Sequence, residues 1–369
     1  MKFYTKIVTV ILFTFSITFF TSCEEKEEKD EIVEQMKRGE LNDSTFDYQK
    51  HINDNYQIFS IPLPENLTFA GERVPLDKLL VRDKLDREIL VNTYWHSNTF
   101  LYHKRANRWF PIIEKILEKN NLPDDLKYLA LIESGLTNAT SPAGAKGFWQ
   151  FMPATARGYG LVINDAIDER NNVEKSTEAA CQYLKKAYKK FGSWALTAAS
   201  YNMGKGGVNN ELTKQKANSY YDLHLNSETG RYVYRILAAK LILSNSENFG
   251  FNIREKELYK PYKTYTINIE NSIPDLVQFA LDNGTNYNTL RVLNPWLKGY
   301  SLEVSNKKTY QIKLPKGNFN VKEEFEYTQD SSITLIDTTL IAKDTVEVKK
   351  DTINVLQEVK DTVIKDTLK

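Results

Sequence analysis

Cysteine is scarce in the 369-residue sequence, which contains only Cys23 and Cys181. Cys23 follows an apolar N-terminal run and has another predicted role, so Cys181 has no partner and we expect no disulfide. Cys181 lies among alanines in a predicted helix, a position typical of a small core residue. Stability must therefore come from a packed core, which an apolar fraction of 41% can support.

Net charge and histidine are also low. The formal net charge is +1, and removal of Lys2 and Lys6 with an N-terminal leader would leave −1. This balance lacks the basic face that nucleic-acid binding needs, so we expect no nucleic-acid partner. We expect neither a metal site nor a cofactor, because no phosphate-binding motif is evident and the four histidines lack ligand spacing: His51, His96, His103 and His224.

Residues 1–22 resemble the signal peptide of a bacterial lipoprotein. A short positive region precedes an unbroken apolar or small-residue run over residues 7–20, which is too short to span a bilayer comfortably. Two small residues follow, and then Cys23, which would become the first residue and be acylated. Several acyl chains on Cys23 would anchor the protein without a transmembrane helix. A simple secretory leader is the alternative.

Composition and periodicity divide the rest of the chain into four parts. Residues 23–75 are charged or polar and are predicted to form a tether and linker. Residues 76–255 have helical patterns, and residues 260–316 have the pattern of a small β-α-α-β unit. Residues 317–369 form a low-complexity tail in which KDT recurs. The predicted fold class is therefore mainly α with a small βααβ C-terminal module.

The helices and strands are predicted from the spacing of apolar side chains and from turn residues. One helix carries an apolar face that consists of Trp109, Ile112, Ile113, Ile116 and Leu117 and ends at Asn120. Further helices are predicted over residues 177–191, 194–201 and 229–243. In the C-terminal module, strands are predicted over 262–269 and 308–315 and helices over 272–284 and 286–297.

An acidic residue interrupts one of these apolar faces. Leu126, Leu129, Ala130 and Glu133 follow helical spacing, and Gly135 ends the helix directly afterwards. Burial and the negative end of the helix dipole both disfavour a carboxylate, so both raise the pKa of Glu133. A carboxyl group that stays protonated near neutral pH suits a general acid for glycosidic-bond cleavage. Spacing alone favours a purely structural glutamate, satisfied by Ser134, backbone amides or an arginine.

The loop after this helix combines turn residues with large aromatic side chains. Several of its aromatic residues must pack beneath the loop, whereas Gln150 between them can present an amide to sugar hydroxyl or acetamido groups. A hydrophobic plug without a ligand is the alternative. The turn residues are Ser141, Pro142, Gly144 and Gly147. The large apolar residues are Phe148, Trp149, Phe151 and Met152.

Five ordered motifs give the chain a specific resemblance. ALIESGL, SPAGAKGFWQFMPATARGYGL, AACQYL, AASYNMGKGGV and SETGRYVYRILA occur in this order. Together they resemble the soluble-lytic-transglycosylase domain of the lysozyme-like superfamily, and most of all its membrane-bound murein transglycosylase D group. The resemblance covers residues 77–250 and implies a lysozyme-like catalytic domain.

The resemblance implies roles for individual residues in the first two motifs. Glu133 matches the single catalytic acid/base of the family, and Ser134 is the matching serine behind it, which we expect to belong to the substrate-binding set. Residues 147–153 match the stretch that lines the glycan cleft, which implies that Gln150 and Met152 face sugar.

The later motifs imply further substrate-binding residues. Tyr201 and Asn202 match residues on the floor of the cleft, and Glu228 and Tyr232 match a motif whose tyrosine lies near the catalytic acid. The residue patterns alone leave structural roles open: Tyr201-Asn202 could end a helix, and Glu228 could cap the next one.

The activity that the resemblance implies is a peptidoglycan lytic transglycosylase. Glu133 would protonate the oxygen between N-acetylmuramic acid and N-acetylglucosamine and then deprotonate the muramic C6 hydroxyl, which closes to a 1,6-anhydro end. No second carboxylate is required, and Asp165, Asp168 and Glu169 are predicted to be turn and cap residues. The alternatives are a hydrolytic muramidase of the same fold and a non-catalytic wall-binding lipoprotein.

The C-terminal unit resembles a degenerate LysM peptidoglycan-binding module. Its strand-helix-helix-strand order and the L-x-x-L-N-P sequence at residues 290–295 support the resemblance, whereas the usual glycine-aspartate turn is replaced by Glu270-Asn271-Ser272. A packing role without sugar binding stays open. The expected partners are glycan strands and, through the lipid anchor, a membrane. We expect a monomeric outer-membrane lipoprotein that faces the periplasm.

Overall fold

The computed structural model describes residues 58–305 and 308–317. Several sequence predictions lie outside these residues: the signal peptide, the acylation of Cys23, most of the tether, and the C-terminal tail. The described chain divides into two compact units. The first unit contains residues 58–161 and 173–260, and the second contains residues 162–172, 261–305 and 308–317.

The first unit is helical, as predicted. A two-stranded hairpin of β1 (Thr68–Phe69) and β2 (Glu72–Arg73) precedes its helices. The helices, which are connected by loops and short 3-10 turns, are α1 (Leu79–Tyr94), α2 (His96–Lys119), α3 (Lys127–Ser134), α4 (Pro153–Gly158), α5 (Val173–Phe191), α6 (Trp194–Gln215) and α7 (Thr229–Ser244). Helix α7 packs against α1, α6 and α3, so its side chains line much of the core.

Apolar spacing located the long helices, and turn residues end them. Helix α2 ends at Asn120, as predicted, with Ile113 and Leu117 buried on its inner face. Helix α5 begins four residues before the predicted start and ends before Gly192, whose φ of 61° favours glycine. Helix α6 continues past the predicted end at Tyr201, because the chain resumes helical geometry after a break at Gly204 (φ 83°, ψ 149°).

Helix α3 is a short buried helix with an abrupt end. Leu126, Leu129 and Ala130 are fully buried, which confirms the apolar face predicted from their spacing. Gly135 follows the helix in the left-handed region, with φ 60° and ψ 30°. Its N–H donates to the carbonyl oxygen of Leu131 at 2.7 Å, which closes the last turn. Glu133 therefore occupies the final turn of the helix.

The second unit has the predicted βααβ order. Strands β3 (Thr264–Ile269) and β4 (Tyr310–Pro315) are antiparallel, with Thr264 opposite Pro315 and Ile269 opposite Tyr310. Helices α8 (Leu276–Asp282) and α9 (Tyr287–Leu293) are shorter than predicted because polar side chains set where they begin. Asp275 accepts hydrogen bonds from two N–H groups of α8, and Asn286 accepts one from α9.

The segment 162–172 belongs to this second unit, although the sequence predicted one continuous domain from residue 76 to residue 255. The N–H of Asp168 donates to the carbonyl oxygen of Trp296 at 2.7 Å, and the N–H of Lys298 donates to that of Ala166 at 2.8 Å. Ile167, which is 1% exposed, packs in the core of the unit. The segment thus contributes both backbone pairing and core volume.

Among the acidic residues of this segment, Asp168 has the capping role predicted for it. Asp168 precedes a 3-10 turn and accepts from the N–H of Arg170, whose guanidinium also binds the same carboxylate at 2.8 Å. Glu169 accepts the N–H of Val162 at 2.8 Å. Both carboxylates are buried.

Among residues 58–305 and 308–317, no helix is long and apolar enough to cross a membrane.

Asn294 provides a test of the second unit. Its side chain is fully buried, accepts the N–H of Lys313 at 2.8 Å and donates to the carbonyl oxygen of the same residue at 2.7 Å. We expect Asn294→Ala to lower the free energy of unfolding by about 2–3 kcal/mol, because both backbone groups would lose their partner in the interior. Asn268→Ala, at an exposed position on β3, is the control and should cost less than about 0.5 kcal/mol. Equal losses in chemical denaturation would contradict this role.

Candidate active site

Glu133 contacts a tyrosine from a distant part of the chain. The hydroxyl of Tyr232, on α7, donates to Oε1 of Glu133 at 2.5 Å. Tyr232 is buried and Glu133 is half-buried. Within the described residues, Glu133 forms no salt bridge. The carboxyl group is thus held by a neutral donor and is not neutralised by a cation in direct contact.

The surroundings raise the pKa of Glu133 to about 7. Burial is the main cause, because it penalises the charged carboxylate, and the negative charge of Glu228 acts in the same direction. The Tyr232 hydrogen bond and the positive charge of Arg235 oppose the rise. The direction agrees with the expectation from sequence. At neutral pH the group is therefore poised between proton donor and acceptor.

Ser134 directly follows Glu133 in sequence, and its hydroxyl group forms hydrogen bonds with other parts of the protein. The Oγ atom contacts the carbonyl oxygen of Phe148 at 2.9 Å and that of Ala130 at 3.2 Å. It also accepts the N–H of Thr137 at 3.3 Å. These contacts tie the end of α3 to the loop that follows. These contacts give Ser134 a positioning role, and its predicted contact with substrate stays a prediction.

The loop over residues 147–153 has a buried side and an open side. Phe148, Trp149 and Phe151 are buried, and the indole N–H of Trp149 donates to Oγ1 of Thr177 at 2.9 Å. Met152 is 43% exposed. The aromatic residues thus form the packed support that the sequence predicted, and Met152 is accessible to a ligand.

Gln150 adopts a left-handed conformation with φ 45°. Its side-chain nitrogen donates to the carbonyl oxygens of Ala139 at 3.0 Å and Gly147 at 2.8 Å, so both amide hydrogens serve to hold the loop. The amide oxygen is the remaining polar atom of the side chain. Toward a ligand, Gln150 would therefore act as an acceptor for a hydroxyl or N–H group.

Tyr201 and Asn202 lie in α6, just before the break at Gly204. The hydroxyl of Tyr201 donates to the carbonyl oxygen of Trp149 at 2.7 Å, which gives the loop a second attachment. Asn202 donates from Nδ2 to Glu228 at 2.9 Å and accepts at Oδ1 from the hydroxyl of Thr229 at 2.6 Å. These contacts go beyond the helix-ending role that the local pattern allowed.

Glu228 stands at the start of α7, but its side chain makes no capping hydrogen bond. The N–H of Thr229 is instead accepted by Oδ1 of Asn226 at 2.9 Å. Glu228 is exposed and accepts from Asn202. Sequence reasoning missed Asn226 as the cap, although asparagine three residues before a helical N–H is a recognisable signal.

Sequence reasoning also missed Arg235. It lies one turn after Tyr232 on α7, and its Nη2 donates to the carbonyl oxygen of Ile132 at 3.1 Å. The spacing of three residues from Tyr232 would have placed it on the same helix face. Among the residues that the structure describes, no group of three or more histidine, cysteine or acidic side chains could hold a metal ion.

Two family models match this chain. Residues 110–223 match the transglycosylase SLT domain, and residues 253–318 match the soluble lytic transglycosylase C-terminal LysM-like domain. The chain thus carries an SLT domain followed by a LysM-like domain, as the motifs predicted. The first match lies within the predicted range 76–255, and the second extends slightly beyond both ends of the predicted range 260–316.

Among known proteins, the chain is homologous to membrane-bound lytic murein transglycosylase D of Escherichia coli K12. The two are 29% identical over 268 residues, which cover 71% of this chain and 57% of that protein. The chain thus spans a little over half the length of this relative. A putative tributyltin chloride resistance protein of Alteromonas sp. strain M-1 is 36% identical over 133 residues, covering 35% of this chain and 64% of that protein. The 70-kDa soluble lytic transglycosylase structure from Escherichia coli aligns with 21% identity and a TM-score of 0.32, over 41% of this chain and 26% of that chain.

The raised pKa of Glu133 makes a prediction about stability. In the unfolded chain the carboxyl group ionises near pH 4.5, but in the folded protein it holds its proton to about pH 7. The unfolded state thus binds fewer protons in this window, so the free energy of unfolding falls as pH rises through it. We expect Glu133→Gln to remove this loss. After allowance for partial exposure, the advantage of the variant over the wild type in free energy of unfolding should be about 1–2 kcal/mol larger at pH 8 than at pH 4.5.

Thermal unfolding of the wild type and of Glu133→Gln at several pH values measures this difference in stability. Glu118→Gln, at an exposed position on α2, is the control for loss of one carboxylate. A Glu133→Gln advantage that does not grow between pH 4.5 and pH 8 would show that Glu133 is not a buried acid.

Proposed function

We propose that this protein is a peptidoglycan lytic transglycosylase in which Glu133 acts first as the acid and then as the base. The observation that carries the proposal is the hydrogen bond of 2.5 Å from Tyr232 to a carboxyl group whose pKa is about 7. The homology to a lytic murein transglycosylase supports the same activity.

In the first step, Glu133 donates its proton to the oxygen between N-acetylmuramic acid and N-acetylglucosamine. The C1–O bond breaks, the N-acetylglucosamine part leaves as an alcohol, and an oxocarbenium-like muramic sugar develops, supported by its own acetamido group. Burial keeps a substantial fraction of the acid protonated near neutral pH, which permits this transfer. Glu133 then carries a negative charge that the Tyr232 hydroxyl stabilises.

In the second step, the Glu133 carboxylate removes the proton of the muramic C6 hydroxyl. The C6 oxygen forms a bond to C1, which gives the 1,6-anhydro ring and returns Glu133 to its protonated form. No water enters the products, so one carboxyl group completes the cycle. Tyr232 remains a hydrogen-bond donor throughout, because its own pKa is raised well above the ordinary value, mainly by burial.

A hydrolytic muramidase with the same fold is the rival activity. An ordinary hydrolase uses a second carboxylate, either as a base that activates water or as a nucleophile that forms a covalent bond to the sugar. Glu228 is the acidic residue whose charge acts on Glu133, but it is exposed and its carboxylate accepts a hydrogen bond from Asn202. We assign Glu228 to glycan binding together with Asn202, and the same proposal places Gln150, Met152 and Tyr201 along the glycan.

The test uses purified sacculi and mass spectrometry of the released ends. We expect the wild-type protein to release 1,6-anhydro ends and Glu133→Gln to lose at least a thousandfold in rate, since proton transfer in both steps is removed. Glycan binding by the variant should persist. Cleavage by Glu133→Gln at the wild-type rate would refute the assignment.

Glu228→Gln is the matched variant, because it makes the same chemical change at the neighbouring carboxylate. We expect it to keep 1,6-anhydro products at a reduced rate, as Asn202 loses a charged partner. Products with reducing ends, abolished by Glu228→Gln, would instead establish the muramidase.

We further propose that the protein acts in the cell envelope as an outer-membrane lipoprotein that faces the periplasm, with glycan strands as its partner and a monomeric state. The support is a membrane-bound relative and the cysteine that follows the N-terminal apolar run. The LysM-like domain is proposed to contact the same glycan.

Cys23 provides the test of the anchor. We expect Cys23→Ser to abolish incorporation of radiolabelled fatty acid and to release the protein from the membrane fraction, because the thiol at the proposed acylation site would be lost. Cys181→Ala is the control, since this buried thiol should not be acylated and the label should persist. Retention of the label by Cys23→Ser would disprove the anchor.

A further inference from the structure

Helix α3 ends beside Glu133, and the last carbonyl groups of any helix lack partners within that helix. The carbonyl oxygen of Leu131 accepts from the N–H of Gly135 at 2.7 Å. That of Ile132, the residue before Glu133, accepts from the guanidinium of Arg235 at 3.1 Å. A charged side chain from another helix therefore completes the turn that carries the acid.

We propose that Arg235 is a positioning residue for Glu133, which acts by binding the Ile132 carbonyl oxygen and by placing a positive charge at the C-terminal end of α3. The inference rests on the proposed function, because it assigns Arg235 a role for the acid of that reaction. Arg235 contacts the backbone of α3, so its effect on the reaction passes through Glu133.

The placement of Arg235 on α7 supports this role. Tyr232 and Arg235 are three residues apart and share one face of the helix. Tyr232 binds the carboxyl group of Glu133, and Arg235 binds the peptide unit immediately before it. One rigid helix thus fixes both the side chain and the main chain of the catalytic residue. Small errors in such placement lower rates steeply.

Charge gives Arg235 its second effect. The end of α3 carries the negative end of the helix dipole, which a cation stabilises. The positive charge of Arg235 also favours the ionised form of Glu133 and limits the rise in its pKa. Without that charge, the carboxylate formed after the first proton transfer would be less stable.

Other ionisable groups around Glu133 come from four parts of the first unit. Tyr201 on α6 and Tyr232 on α7 have pKa values well above the ordinary range, mainly through burial, so both stay neutral. Glu228 opposes ionisation of Glu133. Arg105 on α2 donates to the carbonyl oxygen of Gly135, two residues after the acid, at 3.2 Å.

The experiment compares Arg235→Met and Arg235→Lys in the full chain. We expect Arg235→Met to raise the pKa of Glu133 by roughly 0.3–0.7 unit, because a favourable charge is lost at the helix end. Carbon-13 NMR of labelled glutamate measures this directly, with the Glu133 signal assigned by its absence from Glu133→Gln. The alkaline limb of turnover should move to higher pH by the same amount.

Turnover of a soluble glycan oligomer adds a second readout. We expect Arg235→Met to lower kcat roughly tenfold to a hundredfold with KM little changed, since Arg235 holds the acid and does not bind sugar. Arg235→Lys keeps the charge, so it should restore the pKa while recovering only part of kcat, because lysine lacks the planar guanidinium. This variant also keeps the test open if Arg235→Met folds poorly.

Arg231 provides the matched control. It lies one turn earlier on α7, and its guanidinium binds the buried Glu88 at 2.6 Å. Arg231→Met removes the same charge from the same helix and should reduce stability without moving the pKa of Glu133. A wild-type pKa and kcat in Arg235→Met, or an equal pKa shift in Arg231→Met, would overturn the proposal.

The NMR titration does not require turnover. If Glu133→Gln cleaved glycan normally, the proposed function would fail, while a pKa shift in Arg235→Met would still stand as an electrostatic result. If Glu133→Gln were inactive and Arg235→Met behaved as wild type, only the role of Arg235 would fail.

Discussion

The site depends on the hydrogen bond between a buried phenol and a half-buried carboxyl group, which joins α7 to the last turn of α3. Burial penalises the ionised Glu133, and the Tyr232 hydroxyl returns part of that stabilisation without adding a charge. An arginine in direct contact would have fixed the carboxylate as a permanent anion. A neutral donor instead leaves both protonation states accessible near neutral pH, and acid–base chemistry with a single group requires that access.

Much of the surrounding motif serves to hold backbone in place. Ser134 and Tyr201 bind the carbonyl oxygens of Phe148 and Trp149, which are consecutive residues of the loop. The side-chain nitrogen of Gln150 binds two further carbonyl groups of the same region. The polar residues of the motif thus fix the loop from two helices and from within. These internal contacts set the shape of the loop in advance, which lowers the ordering cost of binding any ligand there.

Local patterns were sufficient for the elements and for the acid, and insufficient for its partners. Apolar spacing placed Glu133 on a buried face, and Gly135 marked the helix end, because both are signals within one helix. The hydrogen bond to Tyr232 joins residues 99 positions apart, and the contact from Arg235 joins residues 103 positions apart. The spacing of residues in a single sequence does not reveal contacts between such distant positions. The resemblance supplied Tyr232, the capping signal of Asn226 was present but missed, and the contact from Arg235 required the structure.

The second unit is discontinuous in sequence, since residues 162–172 supply one of its backbone pairings and part of its core. A fragment that spans only residues 261–317 would therefore lack part of the folded unit, including the core side chain of Ile167. The missing piece lies inside residues 110–223, the range that matches the SLT domain, so truncation between the two matched ranges would divide the second unit.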